Sequence, residues 1–163
     1  MKNATTVLRV LLTAGLFLGL PHATMAATGL VRVSGSEFAP GEFSVDYRIG
    51  SFGIAGEGGF IAPVRGIPAG ATITNVTMYA KDGSETLDIS LAVAKTRIEN
   101  GKGWGIANLA SSGTTRRVRP FTATQISFGT IEDDQIVSLY LWLPENNRDS
   151  LLFTGATIEY SLP

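Results

Sequence analysis

The chain has 163 residues, with 13 Lys or Arg against 14 Asp or Glu, one His, no Cys and a formal net charge of −1. Its single histidine, His22, lies in an N-terminal stretch with the marks of a secretory leader, so the processed chain is expected to contain neither His nor Cys. That composition excludes Ser-His-Asp triads, cysteine nucleophiles and metal sites built from Cys and His. It leaves carboxylates, hydroxyls, carbonyls, Lys and Arg.

The leader is read over residues 1–26. Lys2 and Arg9 form a positive n-region, Val10 to Leu20 an apolar run, and Pro21 with "ATMAA" a break and a small-residue cleavage site after Ala26. The run is shorter than the ~20 apolar residues of a membrane-spanning helix. The chain is therefore expected to be exported, periplasmic or extracellular, with no membrane span after cleavage. No cysteine is present to carry a lipid anchor. Loss of Lys2 and Arg9 leaves 11 basic against 14 acidic residues, a net charge of −3, which disfavours nucleic-acid binding driven by counterion release. Residues 27–163 are long enough to bury a core without disulfides and are expected to form a single β-sandwich domain.

In chain order, strands are expected at "LVRVS" from Leu30, "FSVDYRI" from Phe43 and "FIAPV" from Phe60. Between the last two lies "GSFGIAGEGGF", Gly50 to Phe60. A P-loop needs a lysine that is missing here, Glu57 would repel phosphate, and no helix follows for a dinucleotide fingerprint. The run is read as a bent edge strand or bulged loop, with glycines taking dihedrals that other residues avoid. In "ITNVTMYAK" the apolar phase slips between Ile73 and Val76, which predicts a bulge. "LDISLAVAK" alternates Leu87, Ile89, Leu91 and Val93 with smaller or polar residues, the pattern of a half-buried strand. "GIANLAS" from Gly105 and "FTATQISF" from Phe121 are further strands. "IVSLYLWL" from Ile136 is apolar on both faces, which predicts a central strand covered on both sides, by its own chain or by a partner. "ATIEYSL" from Ala156 closes the fold. Turn sequences separate these segments roughly every ten to fifteen residues, so the class is all-β, an antiparallel β-sandwich or jelly roll of about 8–10 strands. A membrane barrel is disfavoured, because its lumen-facing positions would be polar.

The stretch "IAPVRGIPAGATITNVTMYAKDGSETLDISL", with "LLFTGATIEY" near the end, resembles a group of uncharacterised exported bacterial proteins with an A-P-V-x-x-P-x-G-A-T-I-T strand-turn pattern. The resemblance covers about Phe60 to Tyr160. It implies an exported β fold and carries over no activity and no catalytic residue.

Four groups of side chains are candidates for a site. In "RRVRP", Arg117 and Arg119 are expected on one face of a strand, where two guanidinium groups would hold an anion or an acidic sugar; charge protection of an edge strand is the alternative. Asp133 and Asp134, within "EDD", form a weak calcium candidate with Asn146 or Asp149, although EF-hand spacing is missing and a solvated turn explains them as well. Trp104, after the turn "NGKG", is a candidate for a sheet edge or loop where an indole would stack on a sugar, with filling a core as the alternative. Tyr140 and Trp142 are expected to fill a core. No carboxylate pair stands out for glycoside hydrolysis, and no cofactor is called for. The sequence therefore points to an exported noncatalytic binding, surface or structural module. Carbohydrate binding through exposed aromatics is the first alternative and a carboxylate-dependent glycoside hydrolase the second, with a homo-oligomer expected if the second face of the Ile136 strand is open.

Overall fold

Alternating apolar residues and frequent turns fold the chain into two antiparallel sheets whose apolar faces meet. The computed structural model describes residues 27–41, 46–145 and 150–163. The leader, the start of the "FSVDYRI" segment and part of the "PENNRD" turn lie outside these residues. The described strands are β1 (Thr28–Ser34), β2 (Ala39–Pro40), β3 (Tyr47–Gly50), β4 (Gly53–Gly56), β5 (Gly58–Val64), β6 (Thr72–Asp82), β7 (Ser90–Arg97), β8 (Gly103–Ala110), β9 (Val118–Thr122), β10 (Gln135–Leu143) and β11 (Leu151–Ser161). Sheet A has the order β3-β4-β11-β6-β9, with β1 also paired to β11, and sheet B has the order β2-β5-β10-β7-β8. The all-β sandwich expected from the sequence is the observed fold.

Between the sheets, Ile73, Val76 and Met78 of β6 and Phe153 and Ile158 of β11 face Leu91 and Val93 of β7 and Leu139, Leu141 and Leu143 of β10. Phe38 packs edge-on against Phe153 with centroids 5.0 Å apart. Fully burying an aliphatic or aromatic side chain of this size contributes roughly 1.5–3 kcal/mol, so this layer dominates stability. The phase slip in β6 is a bulge: β11 residues Glu159 and Tyr160 pair with Asn75 and Ile73, which leaves Thr74 unmatched. The extra residue lets both Ile73 and Val76 face the core.

One expected strand is shorter than its sequence indicates. In "FTATQISF" only Phe121 and Thr122 belong to β9. Beyond them the chain leaves sheet A after one more bond, from Ala123 N–H to the Val76 carbonyl. It then crosses to the edge of sheet B, where Ser127 N–H donates to the Ile106 carbonyl. The segment alternates in composition, but it spans from one sheet to the other.

The glycine run forms a corner. β3 and β4 are a hairpin at the edge of sheet A, and a single residue, Glu57, separates β4 from β5 of sheet B. Gly53 and Gly56 have φ of 127° and 128°, which side chains disfavour. A Cβ on Gly53 would lie 2.0 Å from the Phe153 carbonyl oxygen, and one on Gly56 would lie 2.2 Å from that of Asp46. The run therefore absorbs unusual dihedrals in a bulged bend, where the backbone at Gly53 and Gly56 packs directly against other backbone. Gly50, at the end of β3, has open space where its Cβ would be. We expect Gly53→Ala to destabilise the fold by at least about 2 kcal/mol in chemical denaturation and Gly50→Ala to change it by less than about 0.5 kcal/mol; equal midpoints for the two variants would refute this account of the corner.

Candidate functional site

The outer face of sheet B carries the candidate site. Strand alternation puts Val137, Leu139, Leu141 and Leu143 of β10 into the core, which directs Ile136, Tyr140 and Trp142 outward. β10 is the central strand of its sheet, as expected, but its second face is not covered among the described residues. Tyr140 is 43% and Trp142 48% exposed. The expectation that these two rings fill a core is thus corrected. Sheet A covers one face of β10, and no third layer of described residues covers the other.

Small residues surround the two rings. Across the sheet, Trp142 pairs with Gly59 on β5 and Ser90 on β7, and Tyr140 pairs with Ile61 and Ala92. On β8 the next residues outward are Ala110 and Asn108. Large rings on β10 beside glycine, alanine and serine on its neighbours leave a trough of about 700 Å³, within the range of small-molecule sites. The indole leans towards Gly59, where a Cβ would reach ordinary contact with Cε3 of the ring at 3.5 Å. No Asp, Glu, Lys or Arg is among the described residues that line the trough. The side chains of Ser90, Asn108 and Tyr140 line it and make no hydrogen bond to described protein atoms.

The other candidates lie elsewhere. Trp104 is on β8, opposite Lys95, on the core-facing side of sheet B and so on the reverse of the Tyr140 face. Three cations surround its ring: Lys102 Nζ at 5.2 Å, the Arg97 guanidinium at 5.7 Å and Lys95 Nζ at 5.8 Å from the centroid. Lys95 is nearly buried and donates to the Thr130 carbonyl. Arg97 joins this group to the acidic turn, donating to Glu132 and pairing with Asp134 at 2.7 Å. The hydrogen bond that Arg97 donates to Glu132, followed by the charge of Asp134, holds the Arg97 pKa above its ordinary value.

Of the weak calcium pair, Asp134 therefore faces a guanidinium and Asp133 lies exposed. The described residues contain no group of three His, Cys, Asp or Glu side chains able to hold a metal, and Asn146 and Asp149 lie outside them. The two arginines have different settings. Arg117 sits in the bend before β9, whereas Arg119 is within β9, where its guanidinium donates to the Ser112 carbonyl and lies 4.9 Å from the Phe121 ring centroid. Arg119 ties a loop to its own sheet, and β9 is an edge strand.

The molecule is a β-sandwich with an aromatic trough on one outer face, and a solved structure shares the architecture. The xylan-binding module CBM15 aligns with a TM-score of 0.50 at 14% identity, over 83% of this chain and 97% of that one. The likeness is one of fold. The CBM36-1 domain of a multidomain xylanase from the hindgut metagenome of Trinervitermes trinervoides aligns with a TM-score of 0.48 at 11% identity, over 81% of this chain and 96% of that one. A chain of the cyanophage Pam1 capsid asymmetric unit aligns with a TM-score of 0.48 at 17% identity, over 99% and 100% of the two chains. No family model and no curated protein matches the chain, so the pattern-based resemblance to the exported bacterial group does not extend to a family assignment.

Trp104 and Trp142 are the only tryptophans, and their surroundings differ in charge. In Trp142→Phe, we expect iodide to quench the remaining Trp104 emission more strongly than caesium does, because the three nearby cations attract the anion. In Trp104→Phe the two ions should quench Trp142 to similar extents. Stern–Volmer slopes for iodide and caesium that do not differ between the two variants would contradict the assignment.

Proposed function

We propose that the protein is a noncatalytic carbohydrate-binding β-sandwich that works outside the cytoplasm and holds a glycan in the trough on the outer face of sheet B. The observation that carries this reading is the exposed pair Tyr140 and Trp142, two residues apart on a central strand, above a floor of small residues. An apolar ring face at half exposure costs free energy in water, and the C–H face of a sugar ring is a flat apolar partner for it. Hydroxyl and amide groups at the margins suit a ligand that is apolar on its faces and polar around its edge. The sequence favoured Trp104 for this role. Trp104 is on the reverse side, under cations, and we assign the role to Trp142 and Tyr140. The fold-level likeness to a xylan-binding module is compatible with this reading.

Binding without catalysis is the economical reading of the trough, because its described lining offers no carboxylate to act as acid, base or nucleophile. The same exposed face would also accept a second copy of the chain, and one experiment separates the two readings. A glycan array probed with the purified protein should give binding that Trp142→Ala and Tyr140→Ala each weaken at least about tenfold, with little change in melting temperature, while Trp104→Ala leaves it largely intact. Loss of binding only in Trp104→Ala would return the site to that residue. Absence of glycan binding, together with a sedimenting dimer that Trp142→Lys dissociates, would assign the face to self-association instead.

A further inference from the structure

We propose that Asn108 and Ser90, together with the Tyr140 hydroxyl, are the specificity-determining groups of the trough and that they select an uncharged glycan over an acidic one. The proposal rests on the reading of the trough as a glycan site and concerns what that site discriminates.

Its basis is the register of sheet B. Asn108, Ala92 and Tyr140 form one row across β8, β7 and β10, and Ala110, Ser90 and Trp142 form the next. With neighbouring strands ~4.8 Å apart, Asn108 stands ~10 Å from the backbone of Tyr140, with only the Ala92 methyl between them. A ligand resting against the aromatic pair thus meets the Asn108 amide at its far edge and the Ser90 hydroxyl beside the indole. None of the three polar side chains is occupied by described protein atoms. The amide offers two donors and an acceptor, and each hydroxyl can donate or accept. Sugar hydroxyls also donate and accept, so each finds a complement whichever way it is oriented.

A carboxylate or sulfate on the ligand would not. Entering the trough would remove part of its hydration, and the described lining holds no Lys or Arg to replace it. The chain has such groups elsewhere, but Arg97 is engaged by Glu132 and Asp134 and Arg119 by the Ser112 carbonyl. Charge is thus present in the fold and missing from the trough.

The test is retention of the purified protein in affinity electrophoresis through gels containing arabinoxylan or mixed-linkage β-glucan as neutral probes, or polygalacturonate as the acidic one. Neutral probes should retain the protein and polygalacturonate should not. Dissociation constants for the neutral probes should be unchanged between about 0.05 M and about 1 M NaCl. Asn108→Ala and Ser90→Ala should each weaken neutral binding about fivefold or more at unchanged melting temperature. Asn108→Lys should gain retention by polygalacturonate that salt abolishes. Equal or tighter binding of polygalacturonate by the unmodified protein overturns the proposal. So does neutral binding that Trp142→Ala removes but Asn108→Ala and Ser90→Ala leave intact, and in that case the glycan site itself stands. If none of the three polysaccharides retains the protein, the glycan reading and the proposal fall together.

Discussion

The two-residue period of β10 is the constraint on which the structure turns. Leu139, Leu141 and Leu143 anchor the middle of the core, and burying them fixes the strand's rotation about its own axis. Once that rotation is set, Tyr140 and Trp142 have no option but to point away from the other sheet. A slip of one residue in register would bury both rings and expose the leucines, at a cost of several buried aliphatic side chains. The aromatic display is thus held by the same interaction that holds the sandwich together. The flanking strands complete the arrangement, because Gly59, Ser90 and Ala92 are too small to hide the rings.

Much of this architecture is legible in the sequence, and the legible parts share a cause. Where one strand face is apolar and the other polar, as in Leu87 to Val93 or Ala156 to Leu162, periodicity alone assigns strand and orientation. The bulge in β6 is visible for the same reason, since an interrupted period demands an extra residue between Ile73 and Val76. The glycine corner is legible as a bend. Its passage from one sheet to the other is not, because that depends on which partners β4 and β5 find far along the chain. The segment after Thr122 misleads because alternation in composition is necessary for a paired strand and does not supply the partner.

The site was harder to read than the fold, and Trp142 shows why. A strand apolar on both faces is consistent with a layer above it, with a partner, or with a ligand, and composition does not distinguish these. What does distinguish them is the size of the neighbours, and those neighbours, Gly59, Ser90, Ala92 and Asn108, come from three different strands far from Trp142 in sequence. Their smallness reads locally as ordinary strand filler. Trp104 attracted notice through the glycine-rich turn before it, yet register places it opposite Lys95 on the inner side of the sheet. The arginines and the acidic turn carry chemistry that the fold spends internally, on a loop carbonyl and on an ion-pair cluster.

The corner at Glu57 bears on how the molecule yields under load. Adjacent sheets in a sandwich are commonly joined by loops with slack, which let one sheet breathe while the other stays closed. Here a single residue joins β4 to β5, and the glycines on its N-terminal side are wedged against the Phe153 and Asp46 carbonyls. The covalent path from the hairpin at the sheet A edge to Gly59, beside the indole, is therefore only a few residues long. The aromatic face and the far edge of the opposite sheet are thus tied by a joint of one residue, so their relative placement is set by the glycine corner.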